Sequence, residues 1–276
     1  MDDDRERHVA SLVRDPLPDP ESVGEDEVLV GRLRAAITQG GPISFARFMA
    51  RALYEPGHGY YRRPDPGPGT TGDFLTAPET HPIFGGAVGR LLEEAWTALG
   101  RPAPFMVVEH GAGTGALAEG MLAALRDAGS PLFKAIRYRP VEVELVRIEA
   151  LRARLEGAGL GGALDADGDP DGGPVAGAVV ANEVLDALPV HRVIGRPGGI
   201  REQLVGLDAA GGFAWVEADP TTVELVDRLR DEGIELEDGQ AAEVCVGVET
   251  WLAGAVDGLD RGVVMLVDYA EEPESL

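Results

Sequence analysis

The string FMVVEHGAGTGALAEG, residues 105–120, constrains this chain more than any other segment. Phe105 to Glu109 is a short apolar run of the length of a buried parallel strand. Glycines then alternate at 111, 113 and 115, and a helical pattern follows at once, from about Leu117 to Ala128. Glycine lets the backbone turn sharply and approach a ligand with no Cβ in the way. The helix start adds unpaired N–H groups that face the same place. A strand, a glycine turn and a helix in that order predict an α/β fold with a ligand held at the turn.

Two cofactor classes use this geometry. Dinucleotides require G-x-G-x-x-G/A, which Gly111, Gly113 and Ala116 satisfy. S-adenosylmethionine enzymes carry E/D-x-G-x-G-x-G, which Glu109, Gly111, Gly113 and Gly115 satisfy in full. The acid favours the second class, because a carboxylate repels a pyrophosphate and suits an ammonium and a sulfonium. The next strand, read over Ile136 to Leu145, should end in an acid that takes ribose hydroxyls. Glu142 closes its apolar part and is the first choice; Glu144, on the same side of an extended chain, is the second.

The flanking sequence extends the alternation. Ile148 to Leu155 reads as helix, Val175 to Ala181 as a third strand, and Val263 to Tyr269 as a final buried strand. Phe213 to Glu217 reads as a further strand, with helices over Thr221 to Arg230 and Ala241 to Leu252. Such alternation predicts a Rossmann-like, mostly parallel sheet with helices on both faces, over residues 101–276. Residues 27–100 form a helical and loop extension: a helix over 27–39, another capped by Ser44, a Gly- and Pro-rich loop over 55–72, and a helix from about Phe84 to Leu99. Residues 1–26, acidic and proline-bearing, read as a mobile leader.

A second informative string, VVANEVLDALPVHRV, follows the third strand. Open α/β sheets bind ligands beyond the carboxyl ends of their strands, which is where Asn182 and Glu183 fall. Asp186, three residues on, shares a face with Glu183 if one helical turn follows. An amide and two carboxylates suit a cationic nitrogen, above all a planar guanidinium. Methyl transfer needs in-line positioning more than strong acid–base chemistry, so Asn182, Glu183 and Asp186 are the candidate catalytic residues.

Composition narrows the partners. The chain has 24 basic and 48 acidic groups, a net charge of −24 that disfavours nucleic acid and allows a basic protein partner. One cysteine, Cys245, permits no disulfide or cysteine zinc site, and the five histidines show no metal spacing. One lysine, Lys134, leaves little room for lysine-based oxidoreductase chemistry. The start is neither apolar nor arginine-rich, and no apolar run reaches the roughly 20 residues of a membrane span. The default expectation is a cytoplasmic protein with no membrane contact.

With both strings in view, the chain resembles the MidA-like methyltransferase family, which includes a mitochondrial complex I assembly factor that methylates a protein arginine. The matching segments are GPISFARFMARALYEPGHGYY, GDFLTAPETHPIFG, VVEHGAGTGAL, ANEVLDALPVHRV and VMLVDYA, in family order from about residue 41 to 270. The resemblance implies S-adenosylmethionine as cofactor, bound by Gly111, Gly113 and Gly115. It also implies a conserved element over the pocket that includes Gly72, Asp73, Phe74, Thr76, Pro78 and Glu79, and a protein arginine nitrogen as acceptor. His110 and Ala112 depart from the family's E-L-G-P-G-x-G. The family continues past the DYA-like strand, so the 101–276 domain is expected to be C-terminally shortened. Two other readings remain at this stage: a non-catalytic assembly or binding protein that keeps the fold, and an NAD(P)-dependent oxidoreductase.

Overall fold

The computed structural model describes residues 25–63, 76–165 and 175–269. The leader read over 1–26 falls almost wholly outside them, as does the second half of the Gly- and Pro-rich loop over 55–72. The elements run α1 (Glu27–Gly40), β1 (Ile43–Ser44), α2 (Phe45–Tyr54), α3 (Ala77–Thr80), α4 (Ile83–Ala98), β2 (Phe105–His110), α5 (Ala116–Asp127), α6 (Leu132–Ala135) and β3 (Ile136–Val141). Then come α7 (Leu145–Gly157), β4 (Val175–Asn182), β5 (His191–Arg196), β6 (Gly199–Leu207), β7 (Phe213–Ala218), α8 (Glu224–Asp231), β8 (Ala241–Val244), α9 (Val248–Ala255) and β9 (Leu259–Val267).

One sheet is wholly parallel, in the order β3-β2-β4-β9. The apolar run after Pro104 becomes β2, paired along both edges, and packing on its faces buries Phe105, Met106 and Val107. Its Phe105 and Val107 join Leu92 of α4, Leu122 of α5, Leu151 of α7, and Ile136, Tyr138 and Val180 of the neighbouring strands in the largest core. Small residues let α4 and α5 approach closely: a Cβ at Gly85 would lie 2.7 Å from the Met121 nitrogen and 2.8 Å from Gly120 Cα.

The α/β expectation holds, and a second sheet stands beside it. Its strands run antiparallel in the order β1-β6-β5-β8, with β7 also on β6. β5 and β6 were not foreseen; Pro197-Gly198 joins them as a two-residue hairpin loop. The helix expected over 241–252 divides, because Ala241 to Val244 completes a ladder with β5 and only Val248–Ala255 is helical. Long-range pairing overrides the local pattern here. The strand at 263–269 begins earlier, at Leu259, and among the described residues it is the edge strand of its sheet and not a buried one. Val264 and Leu266 are each 42% exposed.

The extension shares a core with the second sheet. Asp26 caps α1 through Leu29 N–H at 2.8 Å, which sets Leu29, Leu33 and Ile37 on one face. That face packs on Ile43 and Val205, with Phe45, Phe48 and Phe213 around them. Ser44 caps α2 as expected, accepting from Arg47 N–H at 3.2 Å. The strand insertion between β4 and β9 thus anchors the N-terminal helices, and α2 in turn carries Tyr54 to the carboxyl ends of the parallel strands.

Gly85→Val should destabilise the fold by about 2 kcal/mol, because the new side chain meets helix backbone rather than a movable side chain. Gly31→Ala, in exposed α1 with nothing within 4 Å of the added Cβ, should stabilise it by about 0.5 kcal/mol. Denaturant unfolding of both variants reads the contrast.

Candidate active site

The site is assembled at the carboxyl ends of β2, β3 and β4. Gly111, Gly113 and Gly115 all take left-handed backbone, at φ 66°, 52° and 85°. At two of them a side chain has no room: a Cβ would meet Val184 Cγ2 from Gly111 and Leu151 Cγ from Gly115, both at 2.7 Å. At Gly113 the space is open, with only Gly111 O at 4.0 Å. The N–H groups of Gly111 and Ala112 donate to Val141 O at the end of β3, at 2.9 and 3.3 Å. The turn is therefore tied to the neighbouring strand before any ligand enters.

Glu142 completes that tie. Its side chain is 6% exposed. Oε2 accepts from Gly113 N–H at 3.0 Å, while Oε1 accepts from the N–H groups of Val143 and Glu144 at 2.8 and 3.3 Å. Three backbone donors fix this carboxylate at the rim of a cavity of about 600 Å³. Glu144 precedes α7 and does not line that cavity.

Glu109 lies beneath the turn, 4% exposed, with Tyr138 Oη donating to its Oε2 at 2.8 Å. Burial pushes its carboxyl up to about 8, the Tyr138 hydrogen bond pulls it down, and the charge of Glu142 pushes it up further. His110, half-buried, meets the ring of Trp251 edge-on at 5.4 Å, and burial lowers its pKa.

Across the cavity, β4 ends in Asn182 and Glu183. Glu183 is a non-glycine residue in left-handed backbone, φ 52°, and its N–H donates to Val267 O at 2.8 Å. Such strain concentrates at functional sites. Asn182 Nδ2 donates to Glu183 Oε1 at 3.2 Å, and Asn182 Oδ1 is buried without a partner among the described residues. Asp268, just past β9, accepts from the N–H groups of Leu185 and Asp186 at 2.8 and 3.3 Å and so shapes the turn that carries Asp186. The Asp186 carboxyl is raised, first by burial and then by the charges of Asp268 and Glu183.

The extension supplies the roof. Tyr54 Oη donates to Ala187 O at 2.8 Å, and the Tyr54 and Tyr61 rings stack at 5.7 Å. Burial, with the nearby Tyr61, Asp186 and Glu142, pushes the Tyr54 hydroxyl up to about 12. Thr76, Pro78 and Glu79 border the same cavity at the start of α3, where Glu79 Oε2 lies 3.5 Å from Thr76 N.

The cavity thus brings together ten of the residues singled out in the sequence: Thr76, Pro78, Glu79, Glu109, Gly111, Gly113, Glu142, Asn182, Glu183 and Asp186. Gly115 does not line it and serves the turn instead. Gly72, Asp73 and Phe74 lie outside the described residues. Tyr54, Tyr61, Arg147, Trp251 and Asp268 were missed. Tyr54 and Tyr61 fall within the GPISFARFMARALYEPGHGYY string and Asp268 within VMLVDYA, but neither string marked them as site residues. The others depend on contacts between distant segments.

A family model of S-adenosyl-L-methionine-dependent methyltransferases matches residues 87–276. The chain belongs to that family. It is 32% identical over 270 residues to the mitochondrial protein arginine methyltransferase NDUFAF7 of Mus musculus, covering 88% of this chain and 60% of the relative. It is 31% identical over 201 residues to the homologue named for Drosophila melanogaster, covering 67% of this chain and 46% of that one. A crystal structure from Burkholderia thailandensis, of a superfamily protein bound to S-adenosyl-homocysteine, superposes with a TM-score of 0.75 at 34% identity, covering 93% of this chain and 66% of that chain. The chain spans about half the length of the curated relatives it matches. Family membership removes the dinucleotide alternative.

The cytoplasmic expectation is corrected by the same comparison, since these curated relatives are named mitochondrial. It rested on the composition of the first residues, and address segments are read by receptors apart from the folded domain, so the fold carries no mark of compartment. Among the described residues, no helix is long and apolar enough to cross a membrane.

Glu109 titrates at about 8 in the folded chain against an ordinary 4.5. Between those values the folded state keeps a proton that the unfolded chain has released, so this group's contribution to stability falls as pH rises through that window. Glu109→Gln should therefore gain stability relative to the parent from pH 5 to 8, and the gain should level off above. Denaturant midpoints at a series of pH values test this; a difference independent of pH would mean that Glu109 is ionised in the fold.

Proposed function

We propose that this chain is a methyltransferase that binds S-adenosylmethionine at the glycine turn and transfers its methyl group to a protein arginine nitrogen. The observation that carries the proposal is one cavity in which the glycine turn and Glu142 face Asn182, Glu183 and Asp186. The residues fit the cofactor: Gly113 leaves the space that a Cβ would fill, and Glu142 is held at the rim where a ribose would sit. Thr76, Pro78 and Glu79 close over it from α3.

S-adenosylmethionine supplies an electrophilic methyl on a sulfonium, whose S–C bond breaks as the N–C bond forms. The chain's own part is placement. Glu183, pinned by left-handed backbone and by Asn182, presents a carboxylate to one side of a guanidinium. Asp186, with a raised carboxyl, stands beside it and takes up the proton that the acceptor nitrogen loses. Tyr54 and Tyr61 cover the acceptor and limit water. The net charge of −24 favours a basic protein as substrate, and the names of the curated relatives agree with arginine.

Titration calorimetry with S-adenosylmethionine, with NAD as comparison, should give saturable binding to the first alone, abolished by Gly113→Arg. With a basic arginine peptide and labelled methyl donor, Glu183→Gln should lower kcat about a hundredfold and leave donor affinity within a few-fold. A folded chain that binds no methyl donor sinks the enzyme reading and leaves an assembly or binding protein. Methylation of lysine but not arginine refutes the acceptor.

A further inference from the structure

Arg147 stands in the first turn of α7, and its side chain, 12% exposed, lines the cavity. Its guanidinium lies over the Tyr61 ring, 5.9 Å from the centroid, and Nη1 approaches Glu142 Oε1 to 3.6 Å. Nη2 is buried and has no hydrogen-bond partner among the described residues. Buried guanidinium donors are normally satisfied, and one left open against a cavity wall calls for an acceptor on whatever enters.

The position of the side chain selects the acceptor. Arg147 sits on the β3 side with Glu142, whereas Asn182, Glu183 and Asp186 hang from the end of β4. The amino-acid carboxylate of the methyl donor would find donors at the start of α5, whose first N–H groups lie at the turn. A ribose held by Glu142 would set the nucleoside half on the Arg147 side of the cavity. Glu142 and the Tyr61 ring hold the planar fork, so Nη2 is pre-set rather than free to swing.

We infer that Arg147 is a further cofactor-binding residue, donating from Nη2 to the nucleoside half of the methyl donor. This rests on the proposed S-adenosylmethionine pocket. The test is titration calorimetry of the full chain, Arg147→Met and Arg147→Lys with two probes, S-adenosylhomocysteine and 5′-methylthioadenosine, which lacks the amino-acid part. Thermal melts verify that each variant is folded. The expected result is about tenfold weaker binding of both probes by Arg147→Met, by the same factor, with a smaller loss in Arg147→Lys. Weaker S-adenosylhomocysteine binding with 5′-methylthioadenosine unchanged would overturn the inference in favour of the carboxylate. Unchanged affinity for both would overturn it outright. A parent chain that binds neither probe would fell the pocket assignment itself, an outcome distinct from either.

Discussion

The whole site depends on a backbone turn that no side chain could make. Three left-handed residues between β2 and α5 let the chain reverse direction within the width of one strand. The turn is held by hydrogen bonds to the end of β3 and by the Glu142 carboxylate. Because Glu142 also takes two N–H groups of its own segment, the two strand ends are locked together through one carboxylate. The same clamp leaves Gly113 open towards the cavity. Rigidity of the turn and room for a ligand thus come from the same few residues.

Charge is distributed around this turn by depth. Glu109 lies below, out of water, and its neutral form is favoured by burial. Glu142 lies at rim height, where three backbone N–H groups donate to its carboxylate. Glu183 and Asp186 lie across the cavity, Asp186 in contact with water. Four carboxyls so close together would repel one another if all were equally ionised. Separating their environments avoids an unpaired buried charge beneath the turn.

Much of this was legible in the sequence, and the reasons are specific. The glycine turn announces itself because the spacing of 111, 113 and 115 admits few other backbones, and the apolar run before it can only be a strand buried on both faces. NEVLDALPV was readable because it follows such a strand directly. The second sheet was not readable in the same way: β8 has a short sequence, AAEV, that fits a helix until β5 stands beside it. The hairpin at Pro197-Gly198 did carry a local turn signal that the reading passed over. Tyr54, Tyr61, Arg147 and Asp268 could not be found by spacing, since they reach the site only when distant segments pack together.

The Tyr54 hydroxyl and the Ala187 carbonyl are 133 residues apart in the chain and meet at 2.8 Å. The parallel strands, the insertion and the N-terminal helices must all be in place for that bond to exist, so the closed cavity is a property of the assembled fold. Any ligand that needs the finished cavity then acts as a reporter of completed assembly, and its binding holds all three parts together at once. Cofactor supply and the lifetime of the folded chain become linked quantities.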